Sequence, residues 1–60
     1  MDKPRILLVD DDPELLALLR SLLEPHGFAV YTATDGPTAL RILPQVAPDL
    51  IILDVLMPGM

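Results

Sequence analysis

The chain has 60 residues, no cysteine, one histidine, and nine acidic side chains against four basic ones, for a formal net charge of −5. A chain of this length buries only about 60% of the surface its unfolded form exposes, so it makes at most one small core and is one domain or part of one. The composition excludes a disulfide framework, a zinc–thiolate site, a nucleophilic thiol and a multi-histidine metal cluster, and the charge argues against a nucleic-acid groove or an anionic membrane surface as partner.

The start, Met1-Asp2-Lys3-Pro4-Arg5, runs into a short apolar stretch that ends in three aspartates. That fits neither a signal peptide nor a membrane span, and a cytoplasmic chain is expected. Arg5-Ile6-Leu7-Leu8-Val9 is continuously apolar after its first residue, contains β-branched members and is bounded by Pro4 and Asp10. It reads as a strand buried on both faces, the kind found in parallel sheets. Asp12 stands before Pro13 as a helix N-cap before a proline at the first helical position, and Glu14 adds a favourable charge in the first turn. Leu15, Leu16, Leu18, Leu19, Leu22 and Leu23 recur at helical spacing and form a wide apolar core stripe. With Gly27 as the stop, the pattern predicts a helix over roughly 13–25.

Residues 28–33, Phe-Ala-Val-Tyr-Thr-Ala, mix aromatic and β-branched side chains with small ones and predict a second strand, less apolar than the first and so at a sheet edge. Thr34-Asp35-Gly36 reads as a turn, and Pro37 opens a second helix with Ala39, Leu40, Leu43 and Val46 on its inner face. Pro44 removes a backbone donor and clashes with the preceding turn, so this helix is expected to kink or end near residue 43. Ala47-Pro48-Asp49 is a connection, Leu50-Ile51-Ile52-Leu53 is a second strand of the buried type, and Met57-Pro58-Gly59 is a turn. The succession β-α-β-α-β is that of a parallel α/β sheet with crossover helices. With strand order 2-1-3, two right-handed crossovers in opposite directions put the helices on both faces, and a ligand would bind at the switch point beyond the carboxyl ends of strands 1 and 3.

Seven of the nine acidic residues are Asp, a residue favoured at caps, turns and ligand sites over helix interiors. Asp10 and Asp11 follow the first strand and Asp54 follows the third, on the same edge of the sheet. Adjacent strands lie about 4.8 Å apart, so the three carboxylates can converge. Two unit charges about 5 Å apart cost roughly 3 kcal/mol at an effective dielectric near 20. A hard divalent cation offsets that cost, and Mg²⁺ suits it because it is held by one or two carboxylates and keeps positions open for water and phosphate oxygens.

Ile6–Pro13, I-L-L-V-D-D-D-P, and Pro48–Met60, P-D-L-I-I-L-D-V-L-M-P-G-M, together resemble the receiver domain of bacterial two-component response regulators, and the intervening L-L-E-P-H-G-F and D-G-P-T-A-L resemble it too. The resemblance covers the whole chain and implies a flavodoxin-like doubly wound sheet, here its βαβαβ half in the order 2-1-3. It further implies that Asp54 is the phosphoryl acceptor, taking the group from a phosphohistidine on a sensor histidine kinase or from a small acyl phosphate. Asp11 and Asp54 would bind Mg²⁺ directly with the backbone carbonyl of Leu56, and Asp10 would act through a bound water. Such a domain assists its own phosphorylation and is not a turnover enzyme. The family pattern continues through two further strands bearing a Ser or Thr and a Lys, whereas these residues stop at Met60. The expectation is therefore an N-terminal half-receiver, residues 1–60, with impaired phosphorylation and no usual output.

Blander readings stand beside these. Asp54 alone would be a turn residue, and His26, Ser21, Arg20 and Arg41 read as ordinary helix positions. The contiguous aspartates lack the spaced ligands and central glycine of an EF-hand. An aspartate-nucleophile phosphatase would want an acid/base Asp two residues beyond its nucleophile, where Leu56 stands. A reading of another class is a self-assembling half-domain: an uncovered apolar strand at 50–54 would pair with a second copy, giving a homodimer through a six-stranded sheet.

Overall fold

The computed structural model describes residues 2–53; Asp54, Leu56 and the expected turn at 57–59 lie outside them. Strand β1 spans Arg5–Val9, helix α1 Pro13–Leu23, strand β2 Ala29–Ala33, helix α2 Gly36–Val46 and strand β3 Leu50–Leu53. The strands form one sheet in the order β2-β1-β3. Both pairings are parallel, with Val9 opposite Ala33 on one side and Leu53 on the other.

The alternation of β1 builds two layers on this sheet. Ile6 and Leu8 pack with Leu16 of α1 and Val30 of β2, against the half-buried Leu19, Leu23 and Phe28. Leu7 and Val9 point the other way and pack with Ala33 and Ala39, against Ile42 and Leu43 of α2. Successive strand residues face opposite sides, so a uniformly apolar β1 serves two helices at once and places them on both faces. This is the flavodoxin-like arrangement expected from the sequence.

Helix α1 begins where its chemistry dictates. Pro13 opens it and the Asp12 carboxylate accepts hydrogen bonds from the N–H groups of Glu14, at 3.0 Å, and Leu15, at 3.3 Å. Its end is tighter than expected: the α-helix stops at Leu23, and Glu24–His26 form a 3₁₀ turn containing Pro25. Proline cannot continue the i to i−4 ladder, and Gly27, at φ +90°, takes the left-handed turn that ends the segment. The leucine stripe is also narrower than it reads. Leu16 is buried, but Leu18 and Leu22 are each 56% exposed and Leu15 is exposed as well, because the sheet covers only one side of the helix.

Helix α2 corrects the expectation at Pro44. It runs through this residue to Val46 and ends at Ala47, whose φ of 47° is left-handed. Pro44 lies in the last turn and forfeits its own bond to the preceding turn, but the helix continues past it and the Ala47 N–H still reaches the Leu43 carbonyl at 2.9 Å. Leu40, expected inside, is 70% exposed; Ile42 takes the inner position instead.

Asp35, read as a turn residue, is the N-cap of α2, accepting the Thr38 N–H at 2.7 Å. Thr38, through its side chain first and its backbone N–H second, holds the Asp35 carboxyl below its ordinary value, with a smaller contribution from Arg41. The folded state thus prefers the ionised form. Its stabilising contribution is present above the unfolded-state pKa, about 3.9, and is lost as pH falls through the lower folded value. Melting temperature should fall less steeply below about pH 4 in Asp35→Asn, which still caps but does not titrate, than in the parent chain.

Strand β3 has the apolar sequence of a strand buried on both faces, and Leu50, Ile51, Ile52 and Leu53 are all exposed, as expected for an uncovered strand, since among the described residues only β1 borders it. Its start is fixed by Asp49: the carboxylate accepts the Arg5 N–H at 2.8 Å, and the Asp49 N–H donates to the Arg5 carbonyl at 2.8 Å. This two-way tie sets the register in which Leu53 meets Val9.

Candidate functional site

The parallel register brings the carboxyl ends of β1 and β3 together at the switch point of the sheet. Asp10 and Asp11 leave β1 directly after Val9, and Leu53, the register partner of Val9, is followed in sequence by Asp54. The Asp10 N–H donates to the Ala33 carbonyl at 3.1 Å, which prolongs the β1–β2 ladder by one step. Asp10 is half-buried and its Oδ1 accepts the Asp12 N–H at 2.9 Å. Asp11 is exposed at the apex of this three-residue connection, and Asp12 is committed to the helix cap, as its position before Pro13 suggested.

Two clefts flank the β1–β3 seam. The larger, about 440 Å³, lies on the α2 side between Leu7, Val9, Leu40, Leu43, Ile51 and Leu53 and holds no charged group. The smaller, about 310 Å³, lies on the α1 side and includes Asp10 among its walls with Leu15, Leu19 and Ile52. Of the two, only the second is reached by a carboxylate. The donors there suit a hard divalent cation in type: they are oxygens only, and Asp10 uses one of its two oxygens on Asp12. Among the described residues no three acidic or histidine side chains come together as a metal cluster. The third member of the expected set, Asp54, and the Leu56 carbonyl lie outside them.

Sequence reasoning passed over Asp49, which orders the strand leading to the site through a contact 44 residues away in the chain. Its only local signal was a carboxylate placed directly before an apolar strand. No helix among the described residues is long and apolar enough to cross a membrane.

A three-stranded parallel sheet in the order β2-β1-β3 with helices on both faces defines a doubly wound α/β protein. The family described as the response regulator receiver domain matches residues 6–60, and the chain belongs to it. The chain is 48% identical over 58 residues to the transcriptional regulatory protein PrrA of Mycobacterium leprae, covering 97% of this chain and 25% of that one. It is 43% identical over 58 residues to the DNA-binding response regulator MtrA of Mycolicibacterium smegmatis, covering 97% and 25%. To the transcriptional regulatory protein CpxR of Escherichia coli K12 it is 56% identical over 54 residues, covering 90% and 23%. The chain thus spans about a quarter of the length of the curated relatives it matches. Membership of this family supports a role in phosphorelay signalling.

Proposed function

We propose that these residues form the acceptor portion of a phosphorelay, the N-terminal half of a receiver domain, in which Asp54 takes a phosphoryl group from a sensor histidine kinase. An Asp54 carboxylate oxygen attacks phosphorus in line with the leaving group, the P–N bond of the phosphohistidine breaks, and an aspartyl phosphate forms as the imidazole leaves. Asp11, Asp54 and the Leu56 carbonyl would hold Mg²⁺, with Asp10 acting through a water. When bound, the cation offsets charge on the carboxylates and the transferring oxygens, which is most of what phosphoryl transfer asks of a protein. The chain is an acceptor and not a turnover enzyme. Its net charge of −5 does not suit contact with nucleic acid by this segment.

The observation that carries this reading is the pairing of Val9 with Leu53. One residue beyond each is an aspartate, and each is tied covalently to its neighbour at about 3.8 Å between Cα atoms. The test is intact mass after incubation with acetyl phosphate and Mg²⁺, for the parent chain and Asp54→Asn. A phosphoryl adduct on the parent alone is expected; an adduct on both, or on neither, would defeat the assignment.

A second reading rests on β3, whose four apolar residues are 43–53% exposed. Strand pairing with a second copy about a two-fold axis would cover them and give a homodimer through strand 50–54. Light scattering at micromolar concentration should then show a dimer that Ile52→Lys converts to monomer. A monomeric parent chain over that range rules this out.

A further inference from the structure

We propose that Asp12, whose carboxylate caps α1, is a positioning residue for the Asp10–Asp11 carboxylate pair; this rests on the Mg²⁺ reading above. Only three residues separate the last residue of β1 from the first of α1, and all three are aspartates. The first is held at both ends: its N–H by the Ala33 carbonyl, its carboxylate by the Asp12 N–H. That N–H can hold Asp10 only while Asp12 itself is fixed. Its side chain is fixed by the N–H groups of Glu14 and Leu15, and its carbonyl accepts the Leu16 N–H at 3.1 Å.

Leu16 is buried with Leu8 in the α1-side core. A continuous path of hydrogen bonds and packing therefore runs from the core, through the cap, to the Asp10 carboxylate. Pro13 completes it, since a residue before proline is biased to the extended conformation that Asp12 adopts, φ −101° and ψ 103°. Asp11, exposed between two pinned neighbours, has its backbone ends set for it. Removing the cap frees Asp12, and the carboxylate pair must then be ordered when the cation binds, which lowers affinity.

Asp12 also carries charge, and charge alone could draw a cation. Two substitutions separate the effects. Asp12→Asn keeps an equally good cap and removes the charge; Asp12→Ala removes both. Mg²⁺ titration followed by amide NMR, at a salt concentration where the Debye length is roughly 4 Å, suppresses the through-space charge effect. The expectation is a roughly 10-fold weaker midpoint for Asp12→Ala and a change of less than about 2-fold for Asp12→Asn. Equal weakening in both, or none in either, overturns the proposal.

Hydrogen exchange of the residue 12 amide without metal supplies an independent reading. It should be slowed in the parent chain and in Asp12→Asn, and should lose that protection in Asp12→Ala and Asp10→Ala. An unprotected amide in the parent chain overturns the proposal. A parent chain that binds no Mg²⁺ defeats the metal reading instead, and the exchange pattern then decides the positioning of Asp10 by itself.

Discussion

Leu8→Ala should lower the stability of the chain by about 2–5 kcal/mol. Leu8 lies on the central strand, is 1% exposed and packs among Ile6, Leu16 and Val30, with Leu19, Leu23 and Phe28 around them. Truncating a buried leucine removes its transfer free energy and leaves a cavity, together costing about 2–5 kcal/mol. A domain of this size has on the order of 3–9 kcal/mol of stability in total, so the loss takes a large share of it. Leu40→Ala is the internal control: Leu40 is 70% exposed, and its loss should change stability by less than about 0.5 kcal/mol. Urea titrations followed by far-UV circular dichroism give both values. A Leu8→Ala chain within about 1 kcal/mol of the parent would mean that the two-layer core is not what holds the sheet together.

Pro44→Ala should act in the opposite direction, raising stability by about 1–3 kcal/mol. The proline sits inside α2, where it has no N–H to offer the preceding turn and its ring crowds the carbonyl four residues back. Alanine restores the bond at the cost of a freer unfolded chain, which keeps the gain below the full helix-interior value. Each kcal/mol shifts the melting temperature of a domain this small by about 4–8 °C, so the change is large enough to measure in a thermal scan. A lower melting temperature would show instead that α2 is bent by Pro44 into the shape that lets Val46 reach the core, where it is buried.

These two predictions fall on opposite sides of what can be read from the chain before it is folded. β1 was legible to the residue, because an apolar run between Pro4 and Asp10 leaves no other place for a strand to begin or end. The start of α1 was legible for the same kind of reason: Asp12 and Pro13 are cap and first helical residue whatever lies around them. Gly27 marked the close of that segment, though the 3₁₀ turn through Pro25 shortened the α-helix itself. Pro44 was misjudged because one missing bond does not end a helix whose neighbouring bonds hold, and α2 continues past it to Val46 with the Ala47 N–H still on the Leu43 carbonyl.

The candidate site divides in the same way. Asp10, Asp11 and Asp54 stood out by residue type and by following apolar runs, and the parallel β1–β3 pairing brings the last residues of those runs, Val9 and Leu53, side by side. The Asp10–Asp12 hydrogen bond was not visible, since three consecutive aspartates give no indication of which one accepts from which. Nor was the division of the leucines on α1 into a buried row and an exposed one. Periodicity reports that a helix has a broad apolar face, and only the placement of the sheet reports how much of that face it covers.

By itself, the sequence determined the elements, their order and the carboxylates at the strand ends, because caps, prolines, β-branched runs and turn residues act within a few positions of themselves. The tertiary structure alone decided which apolar side chains are core and that Asp49 ties the third strand to the first across 44 residues. Burial and long-range register are properties of what lies opposite, and a residue carries no local record of its opposite until the sheet has formed.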